Sequence, residues 1–590
     1  MARDHYRHAC LNRYKMKNII HRQLVESTFQ ALPEVLHPVL KRVYAARSIH
    51  SDKDLDNRLA RLHSPTELKG IQQAVTLLQE ALEKQERILV VGDFDADGAT
   101  SSALMVAALR AMGAHHVDYL VPNRFEFGYG LTPEIVAVAA ASGPDLLVTV
   151  DNGISSIEGV AAARRLGIRV LVTDHHLPGD TLPAADAILN PNQPGDRFPS
   201  KHLAGVGVAF YLLMALRSRL REQGWFEQQT VPEPRLAEYL DLVALGTVAD
   251  LVVLDHNNRV LVRQGLQRIR AGQCRPGIRA LLQIAGRSLS RVVAADFGFA
   301  VGPRLNAAGR LDDMSIGIEC LLSKDEITAR QLAEQLDTLN RERREIEADM
   351  KTRATEYVQR VHVEEAQLPL GLCLFEPDWH QGVIGILASR IKERFHRPVI
   401  AFARCGPDQL KGSARSISGL HIRDTLDAVA ARHPELLQKF GGHAMAAGLS
   451  LAEHRLPEFE AAFLQELAAR LDEHSLASVL ESDGPLEPED LNLDLAEQLR
   501  AAGPWGQGFP EPLFDGRFTI LQLRVVGEHH LKLRVRPEGG RELLDAIAFN
   551  QAADHTLRTG QAVRLAYRMD SNEYRGMLGL QLVVEAIEPL

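Results

Sequence analysis

Residues 88–98 read ILVVGDFDADG, an apolar run that opens onto Asp93, Asp95 and Asp97. Two further stretches repeat the design: LLVTVDNG at 146–153 leads to Asp151, and IRVLVTDHH at 168–176 leads to Asp174, His175 and His176. Short β-branched runs separated by helical patterns read as parallel strands of an α/β sheet, whose ligands bind at the carboxyl ends of the strands. These acids are therefore expected along one sheet edge. Asp250, which closes the apolar pattern Leu242 to Ala249, supplies a fourth group. Taken singly, each acid reads as an ordinary helix cap or surface carboxylate. Four groups with two adjacent imidazoles do not, because caps need no histidine pair. So many carboxylates repel one another unless cations neutralise them, and the pattern predicts a metal centre.

Carboxylates with one or two imidazoles and no thiolate suit Mg²⁺ or Mn²⁺. Cys10, Cys274, Cys320, Cys373 and Cys405 show none of the paired spacing of a structural zinc site. Two ions roughly 3.5–4 Å apart would activate a hydroxide nucleophile and polarise a phosphoryl oxygen, the chemistry of phosphodiester hydrolysis. An odd number of scattered cysteines suits a reducing compartment. With no apolar run of about 18 residues and no signal-peptide pattern, a cytoplasmic protein without membrane contact is expected. The 590 residues, 45% of them hydrophobic, suffice for three or four domains. A net charge of -9 decides little about nucleic acid, since a binding path needs only a local positive stripe. The first fifteen residues are polar, mildly basic and without periodicity; no function is assigned to them, and Met16 is an alternative start.

DFDADG at 93–98, DNG at 151–153, DHH at 174–176 and the Asp250 region resemble the successive motifs of the DHH phosphoesterase superfamily. Within it the chain is similar to the single-strand-specific exonucleases that degrade DNA from the 5′ end. The likeness runs on from about residue 40 through PNRFEFGYGL at 122–131, VGPRLNAAGR at 301–310, HQGVIGILASR at 380–390, GSARS at 412–416, GGHAMAAG at 441–448 and GPWGQGFPEPLF at 503–514. The resemblance implies two Mg²⁺ or Mn²⁺ ions held by Asp95, Asp97, Asp151, His175 and Asp250, with Asp151 bridging. Asp93 is a ligand or orients one. It implies that His176 stands beside the scissile phosphate and that Asp174 fixes the imidazoles. The pyrophosphatase branch carries histidine where this chain has Val91, which argues against that activity.

Other clusters have a functional and an ordinary reading. Arg304, Asn306 and Arg310 look like an electrophilic clamp facing the metals, or a loop ending in salt bridges. Ser413 and Arg415 lie in a stretch able to grip phosphate, and Gly441 and Gly442 before His443 would let backbone amides approach an anion, although a Gly-Gly pair is often only a turn. By resemblance, this second group belongs to the glycine-rich substrate loop of a DHH-associated domain. The segment 123–130 interleaves Arg124 with Phe125, Phe127 and Tyr129, suiting an unpaired nucleotide. By resemblance, this region and the Ser413–Arg415 stretch receive the 5′ phosphate. Lys532 and Arg534 alternate with Leu531, Leu533 and Val535 in a strand with one basic face, DNA-binding or merely solvated.

The Gly- and Pro-free stretch from Ile318 to Leu368 predicts a helix of about 36 residues, roughly 54 Å long, between two lobes. The expected architecture is α/β. An N-terminal extension (1–45) precedes a parallel-sheet DHH phosphoesterase domain (46–320), a connecting helix (321–364), a smaller α/β DHH-associated domain (365–475) and an OB-like β-barrel (476–590). The expected activity is metal-dependent 5′ to 3′ degradation of single-stranded DNA to 5′-mononucleotides. The resemblance implies roles in recombinational repair and mismatch excision beside a helicase and a single-stranded-DNA-binding protein, and a self-contained channel favours a monomer. The alternatives are a DHH phosphodiesterase of oligoribonucleotides or cyclic dinucleotides, disfavoured by the basic barrel, and a non-catalytic replication scaffold, disfavoured by the intact acidic set.

Overall fold

The computed structural model describes residues 18–122, 130–361, 368–471, 476, 479–527, 529–552, 557–574 and 577–590. The three diagnostic runs form neighbouring strands, Ile88–Gly92, Leu146–Val150 and Arg169–Thr173, flanked by Val117–Leu120 and Ala187–Leu189 in one five-stranded sheet. All of its pairings are parallel. Gly92 lies opposite Val150 and Val150 opposite Thr173, so Asp93, Asp151 and Asp174 each follow the last paired residue of adjacent strands. Every residue of the first two strands is buried, which is why they read as unbroken apolar runs. The helix Ala96–Ala111, built largely of small residues, is also buried nearly throughout.

The long helix spans Glu326–Val361, 36 residues as expected. Ala333 and Leu336 join the core of the first domain, whereas Met350, Ala354 and Val358 join that of the second. It is therefore a shared wall of two cores, not a solvated rod. The second domain holds a mixed sheet in the order Lys439–Gly442, Ala446–Ala452, Gln409–Arg415, Val399–Gly406, Leu372–Phe375. Helix Ile384–Phe395 packs against it.

The C-terminal strands close into a five-stranded barrel. Leu531, Leu533 and Val535 fill its interior, leaving Lys532 and Arg534 on the other face. The barrel shares one continuous apolar core with the first domain. Residues 18–45, expected to be an extension, are part of this junction. Strand Asn18–His21 pairs in parallel with Val479–Ser482, and Tyr44 on helix Pro38–Ala45 packs 6.2 Å from Trp505 and 6.5 Å from Phe509, between ring centroids. Such a pairing bridges some 460 positions and leaves no local signature.

A buried ion pair pins the same junction. Arg47 donates to both carboxylate oxygens of Asp483 at 2.7 and 2.9 Å and to the Pro510 carbonyl at 2.7 Å. Removing the cation takes its main partner from a buried carboxylate that keeps only the Leu513 amide and a more distant Arg22, so Arg47→Ala is expected to cost about 3 kcal/mol, measured by urea unfolding. An Arg47→Met, Asp483→Leu pair should recover most of that loss.

Candidate metal centre

Asp95 combines a capping role with a place among the clustered acids. Its Oδ1 caps helix Ala96–Ala111 by accepting the Asp97 and Gly98 N–H groups at 2.9 and 3.0 Å, yet the carboxylate remains grouped with Asp93 and Asp151. Asp97 is gripped from the opposite side, its two oxygens accepting the Gly205 and Val206 amides at 2.6 and 3.0 Å at the start of helix Gly205–Glu222. That close approach needs glycine, since a Cβ at position 205 would fall 2.6 Å from the Asp151 Cβ. Asp151 itself is buried and left-handed, with φ 62°, a conformation uncommon outside glycine, asparagine and aspartate and often found at functional sites.

The fourth acid arrives from a helix end. Asp250 is the C-cap of helix Leu240–Ala249, and a Cβ at Gly246 in that helix would fall 2.8 Å from Asp97 Oδ1. His175 Nε2 then lies 3.1 Å from Asp151 Oδ1 and 3.4 Å from Asp250 Oδ2. Three overlapping groups result: Asp93 with Asp95 and Asp151; Asp97 with His175 and Asp250; Asp151 with His175 and His176. Within each, the donor atoms lie within 4.8 Å of one another.

The electrostatics point to a divalent cation. Burial, reinforced by neighbouring carboxylates, raises Asp97 to about 7 and holds Asp151 and Asp250 well above the ordinary range. Burial, and then His176, lowers His175 to about 4, so its ring is neutral and able to ligate. Its Nε2 and Asp250 Oδ2 are buried without a hydrogen-bond partner among the described residues. An oxygen-rich set with one imidazole fits Mg²⁺ or Mn²⁺, and a cation would supply the charge that the carboxylates lack.

A pH dependence follows. Without divalent cations the raised carboxyls keep protons that the unfolded chain has released, so their contribution is full at low pH and is lost as pH rises through the folded values. Burial disfavours the charged form of His176, but the Asp174 hydrogen bond and nearby carboxylates outweigh it and push the ring up to about 9, adding to the same slope. His175 opposes this trend only below its unperturbed value of 6.5. Cation-free protein should therefore melt lower at about pH 8 than at about pH 6.5, and Mn²⁺ should raise the melting temperature more at the higher pH. A cation response independent of pH would contradict the assignment.

The loop after Thr173 is locked from several sides. Asp174 Oδ1 accepts from the backbone N–H groups of His175 and His176 and pairs with His176 Nδ1 at 2.7 Å, while its Oδ2 accepts the Ile154 amide. Asn190 and Asn192 donate to the carbonyls of His176 and His175 at 2.9 and 2.6 Å. Sequence reasoning missed this pair; their signal is the turn-rich LNPNQPG at 189–195, directly after a sheet strand.

The other candidates divide. Asn306 Oδ1 accepts the Ala96 N–H at 2.7 Å and so positions the first acidic loop. Arg310 donates to the Gly382 carbonyl at 3.1 Å, joining the two domains. Arg304 departs from the expected clamp: it is committed to Asp337 on the long helix at 2.9 Å and to the Ala300 carbonyl at 2.7 Å, the ordinary salt-bridged role. Gly441 and Gly442 lie in a strand paired with Ala447 and Gly448, not in an open loop, and the turn after them puts the His443 ring 6.3 Å from that of His176, nearly parallel at 18°. Arg415 donates to Ser413 Oγ at 3.1 Å. Burial lowers its pKa, and no carboxylate among the described residues pairs with it. Lys532 and Arg534 share Asp545 at 3.3 and 3.4 Å, so part of that basic face is already neutralised. Arg124 and Tyr129 lie outside the described residues.

Comparison with known proteins is consistent along the chain. Residues 87–247 match the DHH family N-terminal domain, 361–470 the DHHA1 domain and 482–586 the RecJ OB domain. The single-stranded-DNA-specific exonuclease RecJ of Dickeya dadantii is 59% identical over 95% of this chain and 97% of its own length. RecJ from Thermus thermophilus in complex with Mn²⁺ superposes with a TM-score of 0.79 at 31% identity, covering 97% of this chain and 79% of that one. Its complex with Mg²⁺ gives 0.73 at 30% identity, covering 98% and 79%. No described helix is long and apolar enough to cross a membrane.

Proposed function

The chain belongs to the RecJ family of single-stranded-DNA-specific exonucleases, and from that premise we propose that it degrades single-stranded DNA from the 5′ end to 5′-mononucleotides, with two Mg²⁺ or Mn²⁺ ions at the acidic edge. The observation that carries this reading is the convergence of acids from two strand ends and one helix end upon His175 at the end of a third strand. Asp95, Asp97, Asp151, His175 and Asp250 would hold the cations, and Asp93 would ligate or orient from beside them. When bound, the ions polarise the phosphoryl oxygen and make water a nucleophile near neutral pH.

The protein's own groups do the rest. Asp174 keeps His176 protonated, and that ring presents its proton to the scissile phosphate or the leaving oxygen. Asn306 holds the first acidic loop in place. Across the cleft Ser413, Arg415, Arg310 and His443 bind the strand end, completed by Arg124 and Tyr129. Lys532 and Arg534 extend the path over the barrel. The same reading assigns the enzyme to the cytoplasm, acting as a monomer beside a helicase and a single-stranded-DNA-binding protein in recombinational repair and mismatch excision.

The test is the product pattern from 5′-labelled and 3′-labelled single strands with Mg²⁺ or Mn²⁺. Immediate release of labelled mononucleotide from the 5′ label, with a shrinking ladder from the 3′ label, is expected. Activity confined to dinucleotides or cyclic dinucleotides, or none at all, would overturn the reading.

A further inference from the structure

Phe299 is a large aromatic side chain held in solvent at 79% exposure. It sits in a single π-helical turn, Phe297–Val301, in which Phe297, Ala300 and Val301 are all buried. Such turns are frequent at functional sites. Its neighbours place it. A Cβ at Gly302 would fall 3.3 Å from the Ala249 Cβ, and one at Gly298 would fall 3.8 Å from Val248 Cγ1, so the turn lies against the helix end that carries Asp250. The helix that follows, Gly302–Leu311, clamps the first acidic loop through Asn306, and a Cβ at its Gly309 would meet the Phe94 carbonyl. The residue after Asp250 repeats the exposure: Leu251 is 70% exposed on a left-handed backbone with φ 59°.

We propose that Phe299, with Leu251 at the same helix end, is the platform on which a nucleobase of the bound single strand stacks beside the metal centre. The inference rests on the single-strand exonuclease reading. Leu251 directly follows one of the clustered acids, and the turn that carries Phe299 is bracketed by two elements of that centre, so whatever covers them is continuous with the substrate at the acids. A nucleobase suits this position because its face covers an aromatic ring and any base will serve, whatever the sequence. An unpaired base is free to make that contact, whereas a base in a duplex already stacks and pairs on its own strands. Phe299 would thus contribute to single-strand preference.

The test uses the full chain without divalent cations, so that strands bind without being cut. Phe299→Ala should weaken binding of a short 5′-phosphorylated strand roughly 5- to 150-fold, and Phe299→Trp should restore it. 2-Aminopurine, placed in turn at each of the first nucleotides, should be quenched at one position by the parent and not by Phe299→Ala. A strand abasic at that position should be bound equally by both. With cations restored, the loss should appear in KM more than in kcat. Unchanged affinity and quenching in Phe299→Ala, or an undiminished penalty on the abasic strand, would overturn the proposal. Because the side chain is exposed, melting should not change. Failure of the parent to cleave single strands would instead sink the exonuclease reading itself.

Discussion

Asp151→Asn is expected to reduce turnover on single-stranded DNA by about 10³-fold or more with the fold intact. Asp151 contributes to two of the three ligand groups and approaches both His175 and the Asp93–Asp95 pair, so its loss disturbs both of those groups at once. Several kcal/mol of transition-state stabilisation depend on those positions, and each 1.36 kcal/mol is a factor of about ten in rate. Asparagine is the informative replacement because it keeps the volume that Gly205 packs against and tolerates a φ of 62°, which alanine does not. The variant also removes one member of a crowded set of buried acids whose charged form is disfavoured. Cation-free protein should consequently melt no lower than the parent, and the stabilisation by Mn²⁺ should shrink. Single-turnover cleavage at near-parent rates with saturating Mn²⁺ would refute the bridging role.

Arg415→Gln is expected to separate recognition of the strand end from chemistry. Ser413 and Arg415 lie on one strand of the second domain, and a Cβ at Gly385 would fall 3.0 Å from Ser413 Oγ and 2.9 Å from Arg415 Nη2, so the helix beginning at Ile384 closes tightly over them. Desolvation is the one influence on this guanidinium, with no carboxylate among the described residues to offset it, and an anionic group of the substrate would supply that charge. A charge-assisted contact contributes about 1.5–3 kcal/mol, so efficiency on 5′-phosphorylated strands should fall roughly 10- to 150-fold. On strands with a 5′ hydroxyl the same substitution should cost little. Equal penalties on both substrates would assign Arg415 to local structure or general backbone binding, and polarity would have to originate elsewhere.

Much of the candidate site was legible because its signals are local. Strands buried on both faces must be apolar throughout, and the acids at 93, 151 and 174 stand where each apolar run stops. The connecting helix was readable because a long Gly- and Pro-free stretch has few other conformations. The roles of single polar side chains were less accessible. Arg304 and Arg310 share one helix and one chemistry, yet Arg304 meets Asp337 while Arg310 reaches the Gly382 carbonyl. Nothing within the helix distinguishes the two. The Gly441–Gly442 pair has the composition of a turn, but its partners Gly448 and Ala447 make it a strand, and the turn after it carries His443 to His176.

By itself, then, the chain's sequence determined the type of each main element, the positions of the strand-end acids and the class of ion they suit, since these depend on side-chain chemistry and burial over a few consecutive residues. The tertiary structure alone decided the parallel register that aligns three of the acids, the helix end that delivers Asp250 to His175, the approach of His443 to His176 from another domain, and the union of residues 18–45 with the C-terminal module. Each of these joins groups far apart along the chain. A hydrogen bond or a ligand position depends on separations of a few ångströms, and only the packed core brings such distant residues that close.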